Sequence, residues 1–337
     1  MGRILIVGSD HQAALELIYQ RELKLKGFLV EIFPAQTIFF EFYNRSILNK
    51  IAFYLRVSSI THFIQRKLKS FISQTEPSIV LVFKGMEITP ETLKWIKNKG
   101  IKIYNYNPDH PFIFSGKGSG NKNVTNSISL FDFYFSYAND VVENLNNLGI
   151  NSKKISFGFD ANGFNYKELN AENEILKVCF LGNADRQRAQ FLNELAQHGV
   201  EIDIYGVNWA KFSMNDTIKI SSAKYGIEFW EILQKYAVQL NLLRPHNLNT
   251  HNMRSFDIPG SGGIMLAPLT DYHLSYFEDR TEVFLYKDLN EAYEISKQIL
   301  GLSFEERNAI RLKARKRALN EHGYNDRITQ FLKYIGE

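Results

Sequence analysis

The 337-residue chain contains a single cysteine, Cys179, so it can form neither an intrachain disulfide nor a cysteine-rich metal site. It also lacks a run of 18 apolar residues and a signal-peptide pattern, because its start, MGRILIVGSD, already reads as a strand that enters a turn. These absences predict a cytoplasmic protein in a reducing compartment. A hydrophobic fraction of 45% is enough for two cores, and the length favours two domains.

Acidic residues are missing from the stretch 44–70, which carries six basic side chains among many apolar ones: Arg45, Lys50, Arg56, Arg66, Lys67 and Lys69. This pattern is typical of an amphipathic helix that lies on an anionic membrane surface, here the inner face of the membrane. It is more typical of a helix that packs its apolar side on a sheet and shows its lysines to water. Nucleic-acid binding is not expected, since the net charge is only +4 and no recognition module is present.

Short apolar runs alternate with helical patterns along the whole chain, which predicts parallel sheets covered by helices on both faces. In the first half the runs cover 4–7, 28–33, 79–83, 101–104 and 131–135, and the first helix is expected over 10–26. The segment 157–173 reads as a linker, and the alternation begins again at 176–181. We therefore predict an α/β protein with two Rossmann-like domains, 1–160 and 161–337. The last helix is a candidate to pack back on the N-terminal domain.

The segment 241–263, NLLRPHNLNTHNMRSFDIPGSGG, joins a buried-strand run to a polar loop, a helix start and a glycine turn. α/β proteins present side chains and backbone amides to phosphorylated ligands in such segments. Arg244 and Arg254 are candidates to clamp phosphate, although Arg254 also suits a structural pair with a carboxylate. Asp257 is a candidate acceptor for ligand hydroxyls. The glycines Gly260, Gly262 and Gly263 are expected to let a ligand approach the backbone closely.

No Asp-x-Asp occurs and the histidines are scattered, so we predict no metal site for a diphosphate. The glycine-rich stretch 115–120, SGKGSG, lacks the spacing of a nucleotide-binding P-loop. It is interpreted as a loop that becomes ordered when an acceptor binds.

Several motifs follow each other in an order that resembles one protein family. They are Val82-Phe-Lys84-Gly85, Asn107-Pro-Asp109-His110-Pro111, Phe180-Leu-Gly182-Asn183 with Arg188, Tyr205-Gly206-x-x-Trp209, Arg254-Ser-Phe256-Asp257-Ile-Pro-Gly260-x-Gly262-Gly263, Glu278, Glu282 and His322-Gly-Tyr324-x-x-Arg327. This order resembles the CgeB-like (spore maturation protein) branch of the GT-B glycosyltransferases, over nearly the whole chain.

The resemblance implies an enzyme that moves a sugar from a nucleotide diphosphate sugar to a glycan, lipid-linked or protein acceptor, without metal or cofactor. It implies that two Rossmann-like domains face each other across a cleft, the C-terminal one holding the donor and the N-terminal one the acceptor. The donor residues that it implies are Gly182, Asn183, Arg186, Arg188, Tyr205, Gly206, Trp209, Arg244, Asn249, His251, Arg254, Phe256, Asp257, Gly262 and Gly263. Among them Tyr205, Gly206 and Trp209 are expected near the base, and Asp257 at the ribose.

Many retaining enzymes of this fold carry two glutamates eight residues apart, and here the first of these positions is Asn249. The stereochemistry therefore stays open. An inverting reaction needs a general base, for which Asp109, His110 and His11 are the candidates, and Gly8, Ser9 and Lys84 are expected at the acceptor. Two other functions also stay open: a sugar-nucleotide epimerase of the same shape, and a binding protein for a sugar nucleotide or glycan that has no catalysis.

Overall fold

The computed structural model describes residues 2–55, 57–114, 118–244 and 249–337. The chain divides into two compact units. Unit 1 consists of Met1–Ser156 together with Arg327–Glu337, and unit 2 is Phe157–Asp326. Among the helices in the described ranges, none is long and apolar enough to cross a membrane.

Unit 1 is built on a six-stranded parallel sheet of order β2-β1-β3-β4-β5-β6. The strands are β1 (Arg3–Val7), β2 (Leu29–Phe33), β3 (Ile79–Phe83), β4 (Lys102–Asn107), β5 (Phe133–Ser136) and β6 (Ser152–Lys154). All five residues of β3, Ile-Val-Leu-Val-Phe, are buried, as expected for a central strand covered on both faces. The apolar runs thus become the strands that the sequence predicted.

The helices of unit 1 cover this sheet and frame the ends of its strands. They are α1 (Leu15–Leu25), α2 (Ala35–Arg45), α3 (Ile47–Tyr54), α4 (Ile60–Thr75), α5 (Pro90–Asn98), α6 (Lys122–Ser127) and α7 (Asn139–Asn147). Helix α1 begins at Leu15 and not at residue 10, because the His11 carbonyl accepts the Ala14 N–H at 2.7 Å and closes a turn first. His11 therefore lies in the turn that follows β1, four residues before α1 begins.

Unit 2 repeats the plan with a second parallel sheet, of order β12-β11-β10-β7-β8-β9. Its strands are β7 (Ile175–Leu181), β8 (Ile202–Tyr205), β9 (Ile218–Ser221), β10 (Tyr236–Leu240), β11 (Met265–Pro268) and β12 (Phe284–Tyr286). Its helices are α8 (Arg186–Gln197), α9 (Gly226–Lys235), α10 (Arg254–Ser261), α11 (Asp271–Tyr276), α12 (Leu289–Gly301) and α13 (Phe304–Glu321). The predicted α/β class, with two helix-covered parallel sheets, is confirmed.

The last helix, α14 (Tyr324–Ile335), belongs to unit 1 from Arg327 onward. There the Phe331 ring packs 5.3 Å from Phe135 of β5 and 6.1 Å from Tyr104 of β4. The C-terminal residues thereby complete the core of the unit in which the chain begins.

Candidate functional site

In unit 2 the chain turns at Gly182 after β7 and at Gly206 after β8, and the two turns lie close together. A Cβ added to Gly206 would overlap the Gly182 carbonyl, so only glycine allows this close approach. Trp209 is buried, packs edge-on against Phe180 and donates its indole N–H to the Gly182 carbonyl at 3.0 Å. In this position Trp209 braces the turn from within the core of unit 2, and a place for it near the base stays a prediction.

Three arginines gather beside this turn. Arg188, on the first turn of α8, is buried and donates from Nη1 to the Asn183 carbonyl at 3.1 Å and from Nη2 to the Leu242 carbonyl at 2.7 Å. Its pKa is lowered to about 10, chiefly by burial; Asp185, 3.4 Å from Nε, opposes the shift, and the positive charges of Arg244 and Arg254 add to it. Because these guanidinium groups repel each other, a bound anion would lower the electrostatic free energy of the site.

Arg254 begins helix α10 and is held on two sides. Its Nη1 lies 2.7 Å from Oδ2 of Asp257, one turn along the helix, and its guanidinium lies 4.2 Å above the Phe229 ring. Burial raises the pKa of the Asp257 carboxyl to about 6, against the opposing effect of Arg254. The two residues proposed for separate ligand contacts therefore contact each other, and about a third of the Arg254 side chain stays exposed.

A buried polar network fixes the start of α10. The Ser255 hydroxyl lies 2.8 Å from Nε2 of His273, whose Nδ1 lies 2.8 Å from the Pro268 carbonyl. Asn252 donates to Oδ1 of Asn241 at 2.8 Å and accepts the Ser255 N–H at 3.1 Å. Burial lowers the pKa of His273 to about 4, so this imidazole stays neutral and serves as a rigid support.

The glycine cluster that follows α10 packs against protein. Gly262 caps the helix at φ 85°, and added Cβ atoms would meet Phe159 at Gly260, Tyr166 at Gly262 and the Leu233 carbonyl at Gly263. The close approach of a ligand to the backbone at these glycines stays a prediction. Tertiary packing of α10 explains the need for glycine at all three positions.

The remaining donor candidates divide by exposure. Phe256 and His251 are fully buried, and their ring centroids lie 5.5 Å apart, so they support the site from the interior of unit 2. Asn183, Arg186, Arg244 and Asn249 are exposed, and Tyr205 is half-buried with its hydroxyl 2.9 Å from that of Tyr236. Unit 2 thus places Asn183, Arg186, Arg188, Arg244 and Arg254 around the ends of β7 and β10.

In unit 1, Lys84 lies at the end of β3 with a positive φ of 59°, followed by Gly85 at 94°. An αL backbone is uncommon and strained at a non-glycine residue such as lysine. Its ammonium lies 2.5 Å from Oδ2 of Asp109 and donates to the Gly118 carbonyl at 2.8 Å. Lys84 thereby links the loops that follow β3 and β4. Residues 115–117 of the predicted acceptor loop lie outside the described residues.

The two histidines proposed as bases have different environments. His110 accepts the backbone N–H groups of Phe112 and Ile113 at Nδ1, at 3.1 and 3.0 Å, and burial lowers its pKa. The neutral ring then carries its proton on Nε2 and has no lone pair left for catalysis. His11 is exposed and lines a cavity of about 620 Å³ together with Ser9 and Glu16.

Two carboxylates in unit 1 were missed by sequence reasoning. Glu16 of α1 fills the space over Gly8 and accepts the Ser9 N–H at 2.8 Å, and burial raises its pKa. Burial also raises the pKa of Glu87, after β3, to about 7, although the nearby Lys84 opposes the shift. Glu87 lines a second cavity, of about 1020 Å³, walled by aromatic rings. No local motif marks either residue, because each depends on elements distant in sequence.

Over the described residues, no three His, Cys, Asp or Glu side chains are grouped so that they could hold a metal ion.

Comparisons with known proteins agree with this architecture. Residues 186–333, somewhat less than half of the chain, match the model of the "Glycosyl transferase-like" family. No curated protein matches the chain.

Among solved structures, sucrose-phosphate synthase from Thermosynechococcus elongatus aligns with a TM-score of 0.67 at 9% identity, over 99% of this chain and 98% of the other. Anabaena HepE in complex with UDP-glucose aligns with a TM-score of 0.66 at 12% identity over 100% of both chains. A Listeria monocytogenes protein assigned as a UDP-N-acetylglucosamine 2-epimerase aligns with a TM-score of 0.60 at 12% identity, over 99% of this chain and 95% of the other.

Identities this low show the fold alone. The chain has the GT-B fold, and the portion that matches the glycosyl transferase-like model contains α8, the three arginines and α10.

Proposed function

We propose that the protein is a glycosyltransferase that transfers a sugar from a nucleoside diphosphate sugar, with the donor bound in unit 2. The observation that carries this proposal is the cluster of Arg188, Arg244 and Arg254 within the region that matches the glycosyl transferase-like model. The order of motifs along the chain further supports a place in the CgeB-like branch. The buried thiol of Cys179 suits the cytoplasmic location that we propose.

The arginine cluster would act on the leaving group. When the bond between sugar and diphosphate breaks, negative charge grows on the β-phosphate, and cations placed beforehand lower the cost of that charge. Arg244 is exposed, and within the described residues no carboxylate forms a salt bridge with it, so its guanidinium is available to a phosphate. Such a site needs no metal ion, which is the mechanism we propose.

The acceptor would bind in unit 1, at the carboxyl ends of β1, β3 and β4. A reaction that inverts the sugar needs a base for the acceptor hydroxyl, and a pKa near 7 suits that role. Glu87 meets this requirement and lines the larger cavity, whereas the Asp109 carboxylate is already bound by Lys84. We therefore favour Glu87 over the three bases suggested by the sequence.

Turnover of a panel of nucleoside diphosphate sugars tests the proposal. The expected result is slow release of nucleoside diphosphate from one donor, with loss of about tenfold or more in the Arg244→Gln variant, since charge-assisted hydrogen bonds contribute about 1.5–3 kcal/mol. Lys316→Gln, an exposed cation on α13, serves as the control and should leave the rate unchanged. Arg244 is preferred to Arg254 because removal of Arg254 would also strip a buried carboxylate of its partner.

The same panel separates the other functions. Conversion of one sugar nucleotide into its epimer without release of nucleoside diphosphate would identify an epimerase. Binding without any turnover would identify a non-catalytic receptor. Either result would contradict the transferase assignment.

A further inference from the structure

Helix α3 is the most exposed apolar element of unit 1. None of its eight residues is buried. Together with the next turn it forms what we call the α3 surface, made of the exposed side chains Ile47, Leu48, Ile51, Phe53, Tyr54, Leu55 and Val57. Leu48 and Tyr54 are 75% and 81% exposed. Seven exposed large apolar side chains within eleven positions are far more than an ordinary helix presents to water.

The helix is nonetheless firmly built. The Ser46 hydroxyl caps its start by accepting the Asn49 N–H at 3.1 Å, and the Asn49 side chain donates to the Phe42 carbonyl at 2.7 Å. The Phe53 ring packs 4.9 Å from Phe39 and 5.8 Å from Tyr43 of α2. The fold therefore holds these apolar side chains outward in a fixed arrangement.

The charged side chains of the segment 42–75, which contains the α3 surface, are of one sign. No Asp or Glu occurs between Glu41 and Glu76. Arg45, Arg66 and Lys67 are exposed, Lys50 lies 5.5 Å above the Tyr43 ring, and Lys67 lies 5.6 Å above the Phe63 ring. Within the segment 42–75 the apolar side chains are accompanied by cations and by no carboxylate, a combination that complements an anionic bilayer, which offers both an apolar interior and negative head groups.

The neighbouring helix α4 shows how an amphipathic helix that packs on the core differs from α3. Its apolar residues Ile60, Ile64, Leu68 and Ile72 are buried in the core of unit 1. The predicted basic amphipathic region thus divides in two: α4 is a core helix that shows its cations to water, and α3 has no such core contact.

A large cavity adjoins the α3 surface. The 1020 Å³ cavity is walled by the rings of Phe39, Phe40 and Tyr43 from α2 and by Phe53 and Tyr54 from α3. Phe53 and Tyr54 belong to both features, so the cavity and the exposed surface are continuous. Glu87 lies in the lining of the same cavity.

We propose that the α3 surface docks unit 1 on an anionic lipid bilayer. Ile47, Leu48, Tyr54 and their neighbours enter the interface, and the flanking cations contact lipid phosphates. The adjoining cavity then opens at the bilayer, where it would take an acceptor carried on a lipid. The lipid-carried acceptor rests on the proposed glycosyltransferase function, whereas docking itself does not.

Vesicle co-sedimentation of the full chain tests docking independently of catalysis. We expect binding to vesicles of phosphatidylcholine mixed with phosphatidylglycerol, weak binding to phosphatidylcholine alone, and a loss of binding as salt is raised. The Leu48→Glu/Tyr54→Glu variant should bind about tenfold more weakly, or worse, for each side chain removed from the interface. The matched control is Leu25→Glu/Leu148→Glu, two similarly exposed leucines of unit 1 outside the α3 surface, and it should bind like the wild type.

A second variant, Arg66→Glu/Lys67→Glu, reverses charge without touching α3 and should also weaken binding to anionic vesicles. Circular dichroism checks that each variant is folded. Failure of the wild type to bind anionic vesicles would overturn the proposal, as would equal loss in the control. A wild-type dimer that the α3 variant dissociates, without vesicle binding, would assign the surface to a second copy of the chain. Donor turnover that persists in a variant that no longer binds vesicles would leave the glycosyltransferase function standing.

Discussion

Burial of Asp257 should give unit 2 a distinctive dependence of stability on pH. Its carboxyl has a pKa of about 6 in the folded protein, against an ordinary value of 3.8. Between these two values the folded state binds the proton more tightly than the unfolded state. Stability from this group is therefore fully present at acidic pH and falls as pH rises toward about 6. Replacement by asparagine, which cannot ionise, should remove that fall.

The size of the effect follows from the two pKa values. The shift corresponds to about 3 kcal/mol in total, of which about 2 kcal/mol develops between pH 4.5 and pH 7.5. The wild type should thus lose about 2 kcal/mol of unfolding free energy between pH 4.5 and pH 7.5 through this group, and Asp257→Asn should not. The difference in unfolding free energy, variant minus wild type, should therefore rise by about 2 kcal/mol over this range. The ion pair with Arg254 stabilises the ionised carboxylate, and its effect on the pH dependence is already contained in the pKa of about 6.

Urea unfolding followed by tryptophan fluorescence measures this change. In a Trp95→Phe background the remaining tryptophans, Trp209 and Trp230, both lie in unit 2 and report on its unfolding. Asp216→Asn is the control, because Asp216 is exposed in the same unit. A difference between variant and wild type that is the same at pH 4.5 and 7.5 would refute the reasoning and mean that Arg254 fully offsets the burial of Asp257.

Three further outcomes follow from the contacts. Glu174→Gln should destabilise unit 2 by about 3–5 kcal/mol in urea unfolding, because the buried Glu174 carboxylate pairs with the buried Arg307 and Arg311. The control Glu201→Gln, which removes an exposed pair with Lys177, should cost about 1 kcal/mol or less. Gly206→Ala should lower unit 2 stability by about 1–3 kcal/mol through overlap with the Gly182 carbonyl, while Gly301→Ala, with open space around it, should not; equal effects would contradict the packing argument. Transferase activity should rise with pH through about 7 as Glu87 loses its proton. Glu87→Gln should lower kcat by about 10²–10⁴ and remove that rise, whereas the control Glu91→Gln, at an exposed residue, should do neither. A pH profile that is unchanged in Glu87→Gln would exclude Glu87 as the base.

The sequence was informative wherever local pattern decides the structure. Buried runs such as Ile79–Phe83 became central parallel strands, and the helix expected near Arg254 begins at that residue. The spacing of Arg254 and Asp257, three residues apart, already places their side chains on one helix face. Their pairing could therefore have been expected more strongly than separate ligand contacts.

Features that depend on distant partners could not be predicted in this way. Gly260 is required by Phe159, about a hundred residues earlier, which no local pattern reveals. Glu16 and Glu87 have unusual pKa values only because the fold buries them at strand ends. Helix α3 is the more apolar of the helices α3 and α4, yet α4 is the one that lies over the core of unit 1, and only the tertiary structure decides this.

The central claim is that unit 2 binds a nucleoside diphosphate through its arginine cluster. Calorimetric titration of the wild type, Arg244→Gln and Lys316→Gln with UDP, GDP, ADP and dTDP tests it most directly. We predict that one nucleoside diphosphate binds at a single site, with affinity about tenfold or more weaker in Arg244→Gln and unchanged in Lys316→Gln. Binding of none of the four, or equal binding by Arg244→Gln and the wild type, would contradict the account.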